Sequence, residues 1–367
     1  MSRFDGFQEF FRRPMSSLKA LEIDTPDHWL FAYNVHPAIR EFPALTSLTI
    51  NHNPAALAFR GALITHLRIS ISGLNVEVTH LAGLLQSCAL LEKLEIENKG
   101  EPESGLPLLP DEIIPLPHLR SFTQTLHWDQ HVAGIINHLD LPPSCSVVLR
   151  CIAGPTNGCP SLYLPDLRDT SYFTDLKRLK VVHAGGCIGS ETSFTLDFIN
   201  YRGTRFTATI KFKNFAISPL DMEHPKDDRI EASMPGIEVL CVDGDRYVPM
   251  GSCSSLTTLI LSGTILHLHL DLLVDFEGHN AYKNLHTLVL FVVPSQFTPK
   301  PMRYLLEVAQ TRAGAGLPLR RITVACPSGL ASDDLKVLEE LRAYVERVEL
   351  LLEDDLLDWN LDKYFLN

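Results

Sequence analysis

The chain has 367 residues, of which 45% are hydrophobic and 21% charged, enough apolar material to bury a long core. Its formal charge of -12 argues against non-specific nucleic-acid binding, which needs a cationic surface. No run approaches the roughly 18 uninterrupted apolar residues of a membrane span, and the charged opening MSRFDGFQEFFRRP does not read as a secretory signal, so cytoplasm or nucleus is expected.

Residues 1–14 carry Phe4, Phe7, Phe10 and Phe11, which suit an N-terminal cap. A phrase then begins: Leu18-Lys-Ala-Leu21-Glu-Ile23, Leu45-Thr-Ser-Leu48-Thr-Ile50 and Leu91-Glu-Lys-Leu94-Glu-Ile96, returning later as Leu256-Thr-Thr-Leu259-Ile-Leu261 and Leu285-His-Thr-Leu288-Val-Leu290. Alternate apolar positions predict a short strand at each return. Two double-length gaps hold degenerate copies, Ser144-Cys-Ser-Val147-Val-Leu149 and Thr207-Ala-Thr-Ile210-Lys-Phe212.

Helical spacing lies between the strands. Val78–Cys88 puts Leu81, Leu84 and Leu85 on one face, and Asp129–Leu139 does the same with Val132, Ile135, Ile136 and Leu139. Pro299–Arg312 opens on prolines, and Ser332–Arg347 opens on Ser332 as a cap followed by Asp333 and Asp334. Asn98–Pro117, Gly154–Asp169 and Ser218–Pro235 read as loops leaving the array, because the phrase resumes in step after each. Residues 351–367 form an acidic C-terminal cap.

Strand, turn, helix, strand at this period is the signature of a leucine-rich repeat. The expected fold is α/β: a right-handed solenoid, or horseshoe, of roughly thirteen irregular repeats over residues 15–350, with a parallel concave sheet inside and helices outside. The cysteines, eight in number and without a C-x-x-C pair, do not form a disulfide framework. Cys88, Cys145 and Cys253 each precede a strand phrase and read as packing residues.

Cys88–Ile96 (Cys-x-x-Leu-x-x-Leu-x-Ile), Ile135–Leu149 (IINHLDLPPSCSVVL) and Val345-Glu-Arg-Val348-Glu-Leu350 before an acidic tail resemble the repeat region of fungal F-box-like proteins. In that family an F-box binds the adaptor of a cullin-type ubiquitin ligase and the repeats hold the substrate. The resemblance thus implies a ubiquitin-ligase substrate receptor. Here the first repeat begins near residue 15, so the likeness covers the repeats and not an F-box. Leu109-Pro-Asp-Glu-Ile-Ile114 imitates an F-box opening, but Pro115 and Pro117 break the helix it would need.

Residues between the strand leucines should face outward on the concave side. The central column runs Glu22, Thr49, Arg68, Glu95, Thr123, Val148, Lys180, Lys211, Cys241, Ile260, Val289, Thr323 and Glu349. Its second half places apolar Cys241, Ile260 and Val289, with Phe291 alongside, after cationic Lys180 and Lys211. That patch is the expected docking surface for an acidic-hydrophobic peptide of a protein partner. A loop, the C-terminal tail or a strand register displaced by one would bury it instead.

No chemistry-bearing motif displaces this reading. His127-Trp-Asp-Gln-His131 has i, i+4 histidines but no glutamate or third ligand. Cys145, Cys151 and Cys159 are too irregularly spaced for zinc, and Gly185-Gly-Cys-Ile-Gly189 lacks the Lys-Ser/Thr of a phosphate loop. The expectation is a non-enzymatic protein-binding module without metal or cofactor. The alternative is a free-standing scaffold or inhibitor with no ubiquitin-ligase link.

Overall fold

The computed structural model describes residues 15–24, 42–51, 63–71, 78–98, 113–127, 136, 138–153, 176–185, 192–200, 204–212, 236–244, 254–263, 266, 270, 273–274, 282–292, 301–326 and 329–352. In chain order its elements are β1 (Ala20–Asp24), β2 (Ser47–Asn51), β3 (His66–Ile71), α1 (Val78–Ser87), β4 (Lys93–Asn98), β5 (Ile114–Pro115), β6 (Ser121–His127), β7 (Leu139–Asp140) and β8 (Ser146–Ala153). There follow β9 (Leu176–Gly185), β10 (Thr192–Asn200), β11 (Arg205–Phe212), β12 (Val239–Gly244), β13 (Thr258–Ser262), β14 (Thr287–Phe291), α2 (Pro301–Gly314), β15 (Arg321–Ala325), α3 (Ser332–Leu341) and β16 (Arg347–Leu351). The fold is α/β, dominated by mostly parallel sheet with few helices among the described residues.

The chain divides into two compact units, 1–173 with 204–213, and 174–203 with 214–367. In the first unit the strand order is β1-β2-β3-β4-β6-β8-β11, every pairing parallel. A small parallel pair, β5 with β7, joins Ile114 to Leu139. In the second the order is β10-β9-β12-β13-β14-β15-β16, parallel except for β10 on β9.

One backbone device enters strand after strand. The carbonyl of Lys19 accepts both Thr46 N–H and Ser47 N–H, at 2.9 and 3.0 Å. Thr46 does the same for Thr65 and His66, Thr65 for Glu92 and Lys93, and Glu92 for Arg120 and Ser121. In the second unit Glu238 serves Thr257 and Thr258, Thr257 serves His286 and Thr287, and His286 serves Arg320 and Arg321. Threonine hydroxyls reinforce three of these steps: Thr46 Oγ1 donates to Lys19, Thr65 Oγ1 to Thr46 and Thr257 Oγ1 to Glu238. Each strand is thus keyed to the carbonyl of its neighbour, which satisfies backbone groups that parallel pairing leaves at the strand entrance.

The strand leucines build the core. Leu48, Leu67, Leu94 and Phe122 are consecutive ladder partners, as are Ile50, Ile69 and Ile96, and all are fully buried. In the second unit Leu240, Leu259, Leu288 and Ile322 form the equivalent row.

Several expectations need correction. Of the turn between repeats expected at Gly185–Gly189, residues 186–189 lie outside the described residues; the strand that ends at Gly185 is paired antiparallel by β10, with Thr192 opposite Gly185. The phrase at 207–212 lies four residues out of place: Phe206, not Ile210, pairs with Val147, because buried Phe206 takes the core position. Of the helix expected at 129–139, residues 129–135 lie outside the described residues, and Leu139 begins β7. Helix α3 is capped by Ala331 in extended conformation with no side-chain hydrogen bond, so Ser332 is its first residue and not its cap. It also ends at Leu341, because Arg347 is already committed to β16. The phenylalanine cap 1–14, both loops 154–169 and 218–235, and most of 351–367 lie outside the described residues.

Candidate functional site

Ladder register shows which members of the predicted column stand side by side. In the second unit the row is continuous: Asp197, Lys180, Cys241, Ile260, Val289, Thr323 and Glu349 pair in sequence. In the first unit it runs Glu22, Thr49, Arg68, Glu95, Thr123, Val148 and then Thr207. Lys211 is displaced from the column, pairing with Ile152. Lys180 and Lys211 therefore belong to different units as well as different rows.

The apolar patch is not an open surface. Cys241, Ile260 and Val289 are each 0% exposed, and with Ile199 they form a closed cluster against which Val239 and Phe291 pack. Phe291 and Lys180 are half-buried. A register displaced by one does not account for this burial, which is the same on either parity: Leu259, Leu261, Leu288 and Leu290 are equally buried. Both faces of β12, β13 and β14 are covered, and the cover comes from the chain itself. A sequence signal for this exists: VLCV, LIL and LVL are unbroken apolar runs, which parallel strands show when both faces are buried.

The first unit behaves oppositely. On β2 burial alternates, with Leu48 and Ile50 buried and Ser47, Thr49 and Asn51 half-open. Glu22, Asp24, His66, Arg68, Lys93, Arg150 and Arg205 are exposed on the same parity. Charges at its centre neutralise one another: Arg68 Nε lies 3.7 Å from Glu95, Arg68 Nη2 3.9 Å from Glu97, and Lys93 Nζ 2.6 Å from Glu95. Asn51 Nδ2 donates to Glu22 Oε1 at 3.1 Å. Beyond them Ser121, Thr123, Thr125 and Ser146 give a hydroxyl-rich field.

At the far end of the second unit, Glu349 gathers its neighbours. Its Oε2 accepts from Arg321 Nη2 at 2.7 Å, Arg321 Nε at 3.1 Å and Thr323 Oγ1 at 3.2 Å, while Oε1 pairs with Arg347. Partial burial pushes this carboxyl up, but hydrogen bonds from Arg321 and Thr323 and the charges of Arg321 and Arg347 outweigh it and hold it below the ordinary value.

Among the described residues the buried polar side chains are Ser70, Gln124, Asp197, Arg312 and Thr323. Gln124 stands between Ile96 and Leu149, fully buried, with neither amide atom hydrogen-bonded. Arg312, buried on α2, donates Nη2 to the carbonyls of Tyr282 and Leu285 at 3.0 and 2.9 Å, and burial lowers its pKa. Holding that turn is a bracing role.

The thiols of Cys88, Cys145, Cys241 and Cys326 are all buried. Burial pushes Cys145 up to about 12, against a smaller lowering by a backbone hydrogen bond with Phe122, so it is a poor nucleophile. Among the described residues no three potential metal ligands cluster, and no helix is long and apolar enough to cross a membrane. Of the candidate pair at 127 and 131, His131 lies outside the described residues. Compared with known proteins, the chain matches no family model, no curated protein and no solved structure.

Proposed function

We propose that the chain is a non-enzymatic protein-interaction module, a leucine-rich-repeat solenoid that engages its partner on the polar sheet face of the first unit. One observation carries this reading. From β1 to β11 buried core residues alternate with mostly polar ones, buried Ser70 and apolar Val148 apart, leaving a register-ordered row of charges and hydroxyls at least partly open to solvent among the described residues. The apolar patch of the second unit is spent on internal packing, so docking shifts to the first. The carbonyl staircase supports the repeat reading, because the same paired bond recurs at seven strand entrances among the described residues.

The likeness of the repeats to fungal F-box-like proteins supports a finer proposal, a substrate receptor of a ubiquitin ligase. A free-standing scaffold or inhibitor uses the same face without the ligase. The test is affinity capture from native extract with wild type and an Arg68→Glu, Glu95→Lys, Arg150→Glu variant. A specific partner lost in the folded variant supports docking on this face, and a partner retained overturns it. Adaptor and cullin among the captured proteins support the receptor; their absence beside a face-dependent partner supports the scaffold.

A further inference from the structure

We draw no further inference here: the strongest candidate, the apolar end of the ladder on strand β16, where Val348 and Leu350 are half-buried although their partners Ile322 and Val324 are fully buried, carries no proposal because nothing in the structure shows what covers it.

Discussion

Arg321 closes on Glu349 side-on, with Nη2 at 2.7 Å and Nε at 3.1 Å from one carboxylate oxygen, across the last ladder of the second unit. Glu349 stands opposite Thr323 in the ladder and Arg321 lies two residues earlier on β15, so the bond ties β16 to β15.

Because the Glu349 carboxyl is held below its ordinary value of 4.5, its contribution is present above that value and is lost as pH falls through the folded-state pKa. Glu349→Gln should cost about 1 kcal/mol at neutral pH, after allowance for partial exposure. Denaturant titrations from neutral to acid pH should show the gap between wild type and variant closing in the acid range. A gap that is constant with pH would contradict the assignment.

Ile260 is walled by Cys241 and Val289 and buried on both sides of its strand. Ile260→Ala should cost about 3 kcal/mol in chemical unfolding, and Ile260→Asp should prevent folding. Glu22→Ala, at the corresponding column position in the first unit, should stay within about 0.5 kcal/mol. Equal effects would mean that the two faces do not differ as described.

Gln124 offers the reverse sign. Its amide is fully buried between Ile96 and Leu149 with no hydrogen bond, so Gln124→Leu removes an unsatisfied group and leaves an apolar neighbourhood intact. Stability should rise by about 1 kcal/mol in urea unfolding. A loss of that size would show that the amide has a partner in solution.

Gly263 follows β13 at φ +121°, beside Gly244 at the end of β12. A side chain there would meet both a disfavoured backbone region and the carbonyl oxygen of Gly244. Gly263→Ala should cost at least ~3 kcal/mol, against a few tenths for Gly316→Ala if open space alone mattered; since Gly316 also has φ +75°, about 1 kcal/mol is expected there. Thermal melts of the two variants would rank them.

Much of the sheet was legible because parity constrains it. Leu48 and Leu94 could not exchange faces with Thr49 and Glu95 without emptying the core, so those strand phrases landed where expected. The phrase at Thr207–Phe212 misled, because its apolar alternation is as good four residues away and only Phe206 against Val147 decides. The β9–β10 return was hidden by a glycine run equally suited to a wide turn. Three of the candidate site's residues are covered for a different reason. Cys241, Ile260 and Val289 occupy outward positions in the pattern, and outward was equated with exposed. The polar face, with Glu22, Arg68 and Glu95, is legible in the same column.

The shared carbonyls at the strand entrances also bear on how such a chain can change over generations. From Lys19 to Thr46 the interval is 27 residues, and from Thr46 to Thr65 it is 19, yet both steps close with the same pair of backbone bonds. Alignment is handed from strand to strand and is not measured out along the backbone. Lengthening or trimming one connecting segment therefore leaves every later strand in step. Insertions and deletions can accumulate between strands while the rows of the open face keep their order, so the spacing of the sequence can drift far faster than the surface it displays.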